Sequence, residues 1–397
     1  MGELKKIGVA ELENVFDLAL YAFNAAGTEK RKERLNILMT HSDNYGYFEN
    51  DLLASQVLAT KFQVNFYGAV YGMAGIGYVA SYPEYRGIGS ISKIMSALLK
   101  ELAQKNVPLA YLAPFSYPFY RQYGFEQLFE QAEYTIAAAD WPSVRKQPGQ
   151  LVRVDFTHAE EAMQIIYKSM PENQRGGLIR AAWWWSYAYG SQEVNQFALY
   201  KNELGECTGY LIYQSTRECF SIKEWGYLNQ ESFYALVGFI GSHAGSSMKF
   251  SLTTSFGGSN LAYLMPSPVA EVVVKPYMMG RIVSVEAFIQ AYPFRKGLAE
   301  EYELVIEDAY VASNQGSWLL HISADGVGKL SKTSTATTSF KDKGKISGTI
   351  QHMTQFFMGY KKPSELYFFG KIFGDVTAIE AIEERIVTDR PLLEDYF

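Results

Sequence analysis

The stretch VASYPEYRGIGSISKIM, Val79–Met95, constrains the fold more than any other in the chain. A short apolar run reads as a strand, and Pro83 ends it. A basic, glycine-rich turn follows, Arg86-Gly87-Ile88-Gly89-Ser90. SISKIMSALLKELAQKN then reads as an amphipathic helix, with Ile91, Ile94, Met95, Leu98, Leu99 and Leu102 on one stripe. A strand that feeds a helix through such a turn predicts mixed α/β architecture. The junction also has a chemical reading. A helix start leaves backbone N–H groups unpaired at the positive end of its dipole. Gly87 and Gly89 carry no side chain, so an anion can approach those amides, and Arg86 adds charge. The spacing matches neither the P-loop, which needs Lys-Ser/Thr after its glycines, nor G-x-G-x-x-G. A pyrophosphate cradle is the functional reading, and a tight turn made for backbone reasons is the plain structural one.

The rest of the chain repeats this layout. AELENVFDLALYAF has helical spacing, and LLASQVLATKFQVNFYGAVYGMAGIGYVASYP reads as several strands broken by glycines. VPLAYLAPFSYPFYRQYGFEQL is a strand that breaks into an aromatic, proline-punctuated loop, and AEYTIAAADW is a further strand. WPSVRKQPGQ marks a boundary near residue 147. A second segment, 148–284, opens with a strand, Thr157 as helix cap, and a helix with early acids. FALYKNELGECTGYLIYQS reads as a hairpin, and Asn229 caps a helix after the next strand. The element order copies the first segment, but the matching junction is GYLNQES, with no Arg-Gly-x-Gly. We read it as a degenerate internal duplication. The third segment, 285–397, follows a helix that begins near Val283. It has strands joined by turns at Asn314-Gln315-Gly316 and Asp325-Gly326, then helices in TIQHMTQFFMGY and DVTAIEAIEERI. The chain ends on an apolar residue, Phe397, without a polar tail.

Composition narrows the function classes. With 397 residues, two to four domains are expected, at about 100–200 residues each. The formal charge of −6 argues against nucleic acid and fits a cationic small substrate. Cys207 and Cys219 form no CxxC pair, so no metal site is expected, and so few cysteines suit a reducing compartment. The first residues lack the apolar core of a signal peptide, and no run of about 18 apolar residues exists to span a membrane. A cytoplasmic location follows as the expectation. Aromatics reach 15%, enough to spare some for pockets or subunit contacts.

On these residues the chain resembles the GNAT acyltransferases. Val79-Ala80-Ser81 ends a strand before a proline turn at the family's spacing, and Arg86-Gly87-Ile88-Gly89-Ser90-Ile91 is similar to its R/Q-x-x-G-x-G/A motif, departing at Ile91. Two GNAT-like modules, the second without the motif, a sterol-carrier-like α+β module and a terminal aromatic residue resemble the Eis family over the full length. FYRQYGFE and MGRIVSVEAF belong to the same likeness. The resemblance implies tandem mixed sheets with flanking helices. It implies acetyl-CoA as co-substrate, with the backbone of Val79, Ala80 and Ser81 on the pantetheine arm. The amides from Gly87 through Ile88, Gly89, Ser90 and Ile91 to Ser92 would take the pyrophosphate beside Arg86, and Phe115 and Ser116 would complete the cofactor site. It also implies an aminoglycoside-like amine acceptor and a homohexamer.

Acetyl transfer to an amine needs a base for the ammonium proton and an acid for the departing thiolate. Tyr120 is the expected acid: a phenol is neutral at pH 7, and Tyr-x-x-Tyr-Gly-Phe resembles the family's Tyr-x-x-Phe-Gly-Tyr, with Tyr117 and Tyr123 as rivals. His41, His158, His243, His321 and His352 share no motif; His158 reads as a surface residue and His321 as a core one. The resemblance supplies the α-carboxylate of Phe397 as base. Glu394 and Asp395 read as rim charges, and Trp183–Trp185 as core or interface. No cysteine lies near the motif, so direct transfer is expected. The alternative is a lipid- or sterol-binding protein working through the third module, with MTQFFMGY lining a tunnel; it leaves Arg86-Gly87-x-Gly89 unexplained.

Overall fold

The apolar run after Leu52 folds as two long strands rather than several short ones. Leu52–Phe66 and Ala69–Ser81 pair antiparallel through a turn at Tyr67 and Gly68, whose φ values are 52° and 91°. Glycines within a strand weaken it but do not end it when both faces are covered, and much of this pair is buried. The structure, a computed structural model, describes residues 2–255, 261–265, 270–333 and 344–397. The chain divides into two units: residues 1–128, 277–391 and 395–397 form one, and 129–276 with 392–394 form the other.

The first unit holds two sheets. In one, the strands run in the order Glu3–Ile7, Ser42–Glu49, Leu52–Phe66, Ala69–Ser81, Leu109–Leu112, Met279–Ile282, Glu126–Gln127. Ala69–Ser81 and Leu109–Leu112 are parallel, joined by the helix Ser90–Gln104. That helix buries Ile94, Met95, Leu98, Leu99 and Leu102 against Val57, Ala59, Ala74 and Leu112, as its apolar stripe predicts. The helix expected to begin near Val283 is present and starts two residues on. Met279–Ile282 is a strand inserted beside Leu109–Leu112, and Ser284 caps a helix over Val285–Gln290. The helix Glu29–Thr40 gave no apolar signal in the sequence, because its charged face dominates.

The second sheet of this unit has the order Gly328–Lys332, Gly316–Ile322, Glu300–Glu307, Gly344–Thr349, Ile372–Gly374. The helix Ile350–Phe357 buries Met353, Phe356 and Phe357, so its aromatic residues are core. His321 is not a core residue: its ring is 44% exposed and lies 3.5 Å from Glu301. Arg281 and Asp308 form a buried ion pair at 2.6 Å. The guanidinium also donates to the Tyr123 carbonyl, and Asp308 accepts from Asn314, Tyr310 and Val311.

The other unit repeats the first topology. Its strands run Glu271–Pro276, Glu130–Ala137, Lys249–Thr254, Cys219–Tyr227, Cys207–Ser215, Gln196–Lys201, Gln150–Val154. Again one parallel pair, Cys219–Tyr227 with Lys249–Thr254, is joined through a helix, Gln230–Gly241. Asn229 caps that helix in a capping box, as expected. The preceding helix, Phe156–Ser169, is capped by Asp155 rather than Thr157; the Asp155 carboxylate accepts from the His158 amide at 2.9 Å. Trp184 and Trp185 are buried, and Trp185 packs with Met163, Ile166 and Tyr167. No helix among the described residues is long and apolar enough to cross a membrane.

Candidate active site

The site begins where two parallel strands part. Ala69–Ser81 and Leu109–Leu112 pair from Met73↔Leu109 to Ile76↔Leu112 and then stop, while Ala69–Ser81 continues along its other neighbour to Ser55↔Ser81. From Gly77 onward, the edge that faced Leu109–Leu112 has no strand against it among the described residues. A bulge shifts the register between Gln56↔Ala80 and Leu58↔Gly77, and Tyr78 there has a φ of 51°. A bulge with a residue in the left-handed region bends the strand and re-aims its end.

Beyond the strand, Gly87 and Gly89 have φ values of 82° and 78°, and Gly89 is the N-cap of Ser90–Gln104. A Cβ at either position would meet nothing within 4 Å, so the glycines serve the backbone conformation and leave open space before the first helical amides. Among the described residues, no side chain caps this helix start. The Ser90 hydroxyl turns inward to Ser55, which also bonds Ser81, both at 2.7 Å. Arg86 has no ion-pair partner among the described residues.

These elements border one cleft of about 770 Å³, lined by Val79, Ala80, Ser81, Arg86, Gly87, Gly89, Ser90, Ile91, Ser92 and Phe115, all of them expected cofactor residues. Of the others, Ile88 is exposed, and Ser116 caps the helix Tyr117–Arg121 by accepting from the Phe119 amide at 3.4 Å. Ala22, Phe23, Tyr85 and Phe119 also line the cleft; none was expected there as a cofactor residue, although Phe119 opens FYRQYGFE.

Tyr120 is 2% exposed and sits behind two lining residues, its ring 5.2 Å from Phe115 and 5.1 Å from Phe119. Its hydroxyl has no hydrogen-bond partner among the described residues. Burial first, and then Tyr123 and Tyr396, push this phenol above its ordinary value, so it keeps its proton. The hydroxyl of its rival Tyr123 is already paired, 2.8 Å from Ser92 Oγ.

Phe397 packs against the strand Ala69–Ser81, whose end carries the cleft residues Val79–Ser81. Its ring packs on Phe62, with centroids 5.1 Å apart. A Cβ at Gly75 would come within 2.7 Å of that ring, and one at Gly77 would stand 3.5 Å from the terminal carboxyl carbon. Alternating glycines in GMAGIGY therefore admit the end of the chain against the strand, a signal of close approach that the sequence carried unread. Tyr277 donates to the Asp395 carbonyl at 2.9 Å and fixes the last turn of the tail. Glu394 and Asp395 are not rim charges. Asp395 is buried, and the Glu394 carboxylate accepts from Thr254 Oγ1, Ser255 N and Ser255 Oγ at 2.9, 2.8 and 2.7 Å. Burial raises the pKa of Glu394 against those bonds.

Comparison with known proteins agrees with this geometry. Acetyltransferase (GNAT) domain models match residues 3–128 and 176–282, and a sterol carrier protein domain model matches 285–394. No curated protein matches the chain in sequence. A solved structure from Enterococcus faecalis V583, a conserved protein of unknown function and probable N-acyltransferase, is 45% identical, with 100% of each chain covered and a TM-score of 0.95. A GCN5-related N-acetyltransferase from Anabaena variabilis is 20% identical, with 100% of each chain covered and a TM-score of 0.88. Eis1 from Mycobacterium abscessus is 18% identical, with 100% of each chain covered and a TM-score of 0.78; these last two share the fold. The chain belongs to the GNAT N-acetyltransferases, in the Eis-like layout of two GNAT domains followed by a sterol-carrier domain.

Proposed function

We propose that the protein transfers acetyl from acetyl-CoA to an amine of a cationic, aminoglycoside-like small molecule, directly and without an acyl-enzyme. The observation that carries this reading is the position of the chain's own carboxylate. It lies against Gly77, on the strand whose unpaired end, Val79–Ser81, borders the cleft.

The residues present fit acetyl-CoA. The free strand edge offers backbone groups to the pantetheine amides. The amides around Gly87–Ser92 and the unpaired Arg86 suit linked phosphates, because glycines with positive φ leave that space clear. Phe115, 70% exposed, and Phe119 give the cleft an apolar wall. Acetyl-CoA supplies the acetyl group already activated as a thioester. The acceptor attacks as the free amine, its ammonium proton having first passed to water, and the Phe397 carboxylate takes the second proton, which the nitrogen loses as its bond to the acetyl carbon forms. A carboxylate is a weak base, near pKa ~3.5 as a free α-carboxyl, but that nitrogen becomes acidic as it bonds, so a weak base in place suffices. Tyr120 gives its proton to the departing sulfur, and a hydroxyl with no hydrogen-bond partner among the described residues supports that role.

The functional division we propose is a catalytic module at 1–147, a degenerate copy at 148–284 and a sterol-carrier-like module at 285–397. The family models matched to each part support it. The enzyme is read as cytoplasmic and hexameric on its cysteine usage and family likeness. Titration calorimetry with acetyl-CoA, then a panel of amines with products located by mass spectrometry, tests the proposal. No acetyl-CoA binding, or no acetylated amine, overturns it.

A further inference from the structure

The sheet face that holds Phe397 carries a group for which the chemistry above has no use. Gln56 is fully buried, and neither its Oε1 nor its Nε2 has a hydrogen-bond partner among the described residues. Buried carboxamides are almost always paired, so an orphaned one points to a partner that binds later.

Its neighbours fix its direction. Ser55 Oγ bonds Ser81 and Ser90, so Ser55 faces the helix Ser90–Gln104. The next residue of an extended strand faces the other way. Residues 56, 58, 60 and 62 therefore share one face, the face on which Phe62 packs against Phe397. Across the strands, Thr60 pairs with Gly75, Leu58 with Gly77 and Gln56 with Ala80. The terminal carboxylate lies at Gly77. Gln56 is thus the next residue on that face toward Ala80, which lines the cleft, about 7 Å along the strand. A glutamine side chain spans much of that distance.

We infer that Gln56 orients the acceptor. Its Oε1 accepts an N–H of the same amine that gives up a proton to Phe397, and its Nε2 donates to an oxygen next to that amine. The preferred acceptor is then a primary amine with a neighbouring hydroxyl. The inference rests on reading Phe397 as the base, and it adds no covalent step. Two fixed bonds to the acceptor aim the nitrogen lone pair at the acetyl carbon, which is how positioning lowers a barrier. Gln56 is closed off from solvent here, so an acceptor reaches it by displacing part of its cover.

The test is steady-state kinetics of Gln56→Met with a primary amine bearing an adjacent hydroxyl and with its deoxy counterpart. Expected is a tenfold or greater fall in kcat/KM for the hydroxylated amine and a smaller fall for the deoxy one. Acetyl-CoA affinity stays within twofold and Tm is not lowered, because an unpaired polar group has been replaced by an apolar one of similar shape. A kcat/KM within twofold for both amines overturns the inference, as does a lowered Tm accompanied by weaker acetyl-CoA binding, which means a structural role. If Gln56→Met does not fold, Gln56→Glu decides. It keeps the accepting oxygen but adds charge beside Phe397, so the acid limb of the pH–rate profile moves up; an unmoved limb overturns the inference. A wild-type enzyme that acetylates no amine sinks the underlying reading instead, whereas an active wild type with an equally active Gln56→Met sinks only the role of Gln56.

Discussion

Replacing Asp308 with asparagine removes the counter-charge of a guanidinium that has no route to water. The Arg281 and Asp308 side chains are 0% and 1% exposed. Burial pushes the Arg281 pKa down, and Asp308 alone among charged groups pushes it back up. One Asp308 oxygen takes Arg281 at 2.6 Å and Asn314 at 2.9 Å, and the other takes the amides of Tyr310 and Val311 at 3.1 and 3.0 Å. Asparagine keeps the second oxygen's bonds but turns an NH₂ toward two donors, so the loss falls on the ion pair. Breaking a buried pair from one side costs about 3–5 kcal/mol. At about 2–4 °C per kcal/mol for a folding unit of this size, the expected loss is about 6–20 °C. Scanning calorimetry is the assay, with the transitions of the two units read separately, since a single Tm does not describe such a chain. Arg281→Met combined with Asp308→Asn should recover part of the loss by removing the stranded charge. A single-variant loss below about 2 °C refutes the reasoning, because the guanidinium would then be carried by the carbonyls of Tyr123 and Ile282 alone. The same substitution should lower kcat, since Arg281 holds the turn at Tyr123 and Gly124 that follows Tyr120.

Gly89→Ala places a Cβ in open space but at a φ of 78°, so the protein should fold at a cost of about 1–2 kcal/mol. Acetyl-CoA affinity by calorimetry should fall about tenfold, and an unchanged affinity counts against the pyrophosphate assignment. Tyr120→Phe should lower kcat by about 10²–10⁴ with cofactor affinity unchanged, and wild-type turnover would return the acid role to another group. Residues added after Phe397 move the carboxylate off Gly77, so a C-terminal extension should reduce turnover by a similar factor; full activity in the extended chain removes Phe397 as base. Burial tends to raise the Glu101 pKa, but hydrogen bonds from Lys105, Lys6 and Tyr45 outweigh it and hold it at about 2. Its contribution to stability is therefore complete above its ordinary value of 4.5 and is lost as pH falls toward 2. Glu101→Gln should flatten the urea-unfolding midpoint across that window, and an acid limb as steep as wild type would discount the cluster.

Features with short-range causes were legible in the residues themselves. A positive-φ glycine turn, an apolar stripe at helical spacing and a capping asparagine each act within a few positions, so the Ser90–Gln104 junction and the Asn229 cap could be read directly. The layout of two similar modules and a third was visible for the same reason, as a recurring order of local signals. Tertiary structure decided what depends on partners far away in sequence. Parallel pairing ends at Ile76↔Leu112 because of register between strands a helix apart, and no local pattern encodes where it stops. Phe397 meets Gly75 and Gly77 across more than three hundred residues, and Arg281 gains its charge partner only when the strand Met279–Ile282 inserts beside Leu109–Leu112. His321 and Glu394 were misread because exposure is set by which face of a strand, or which stretch of tail, ends up covered. Backbone conformation is a property of neighbours in the chain, whereas burial, proton affinity and the meeting of two reactive groups are properties of neighbours in space.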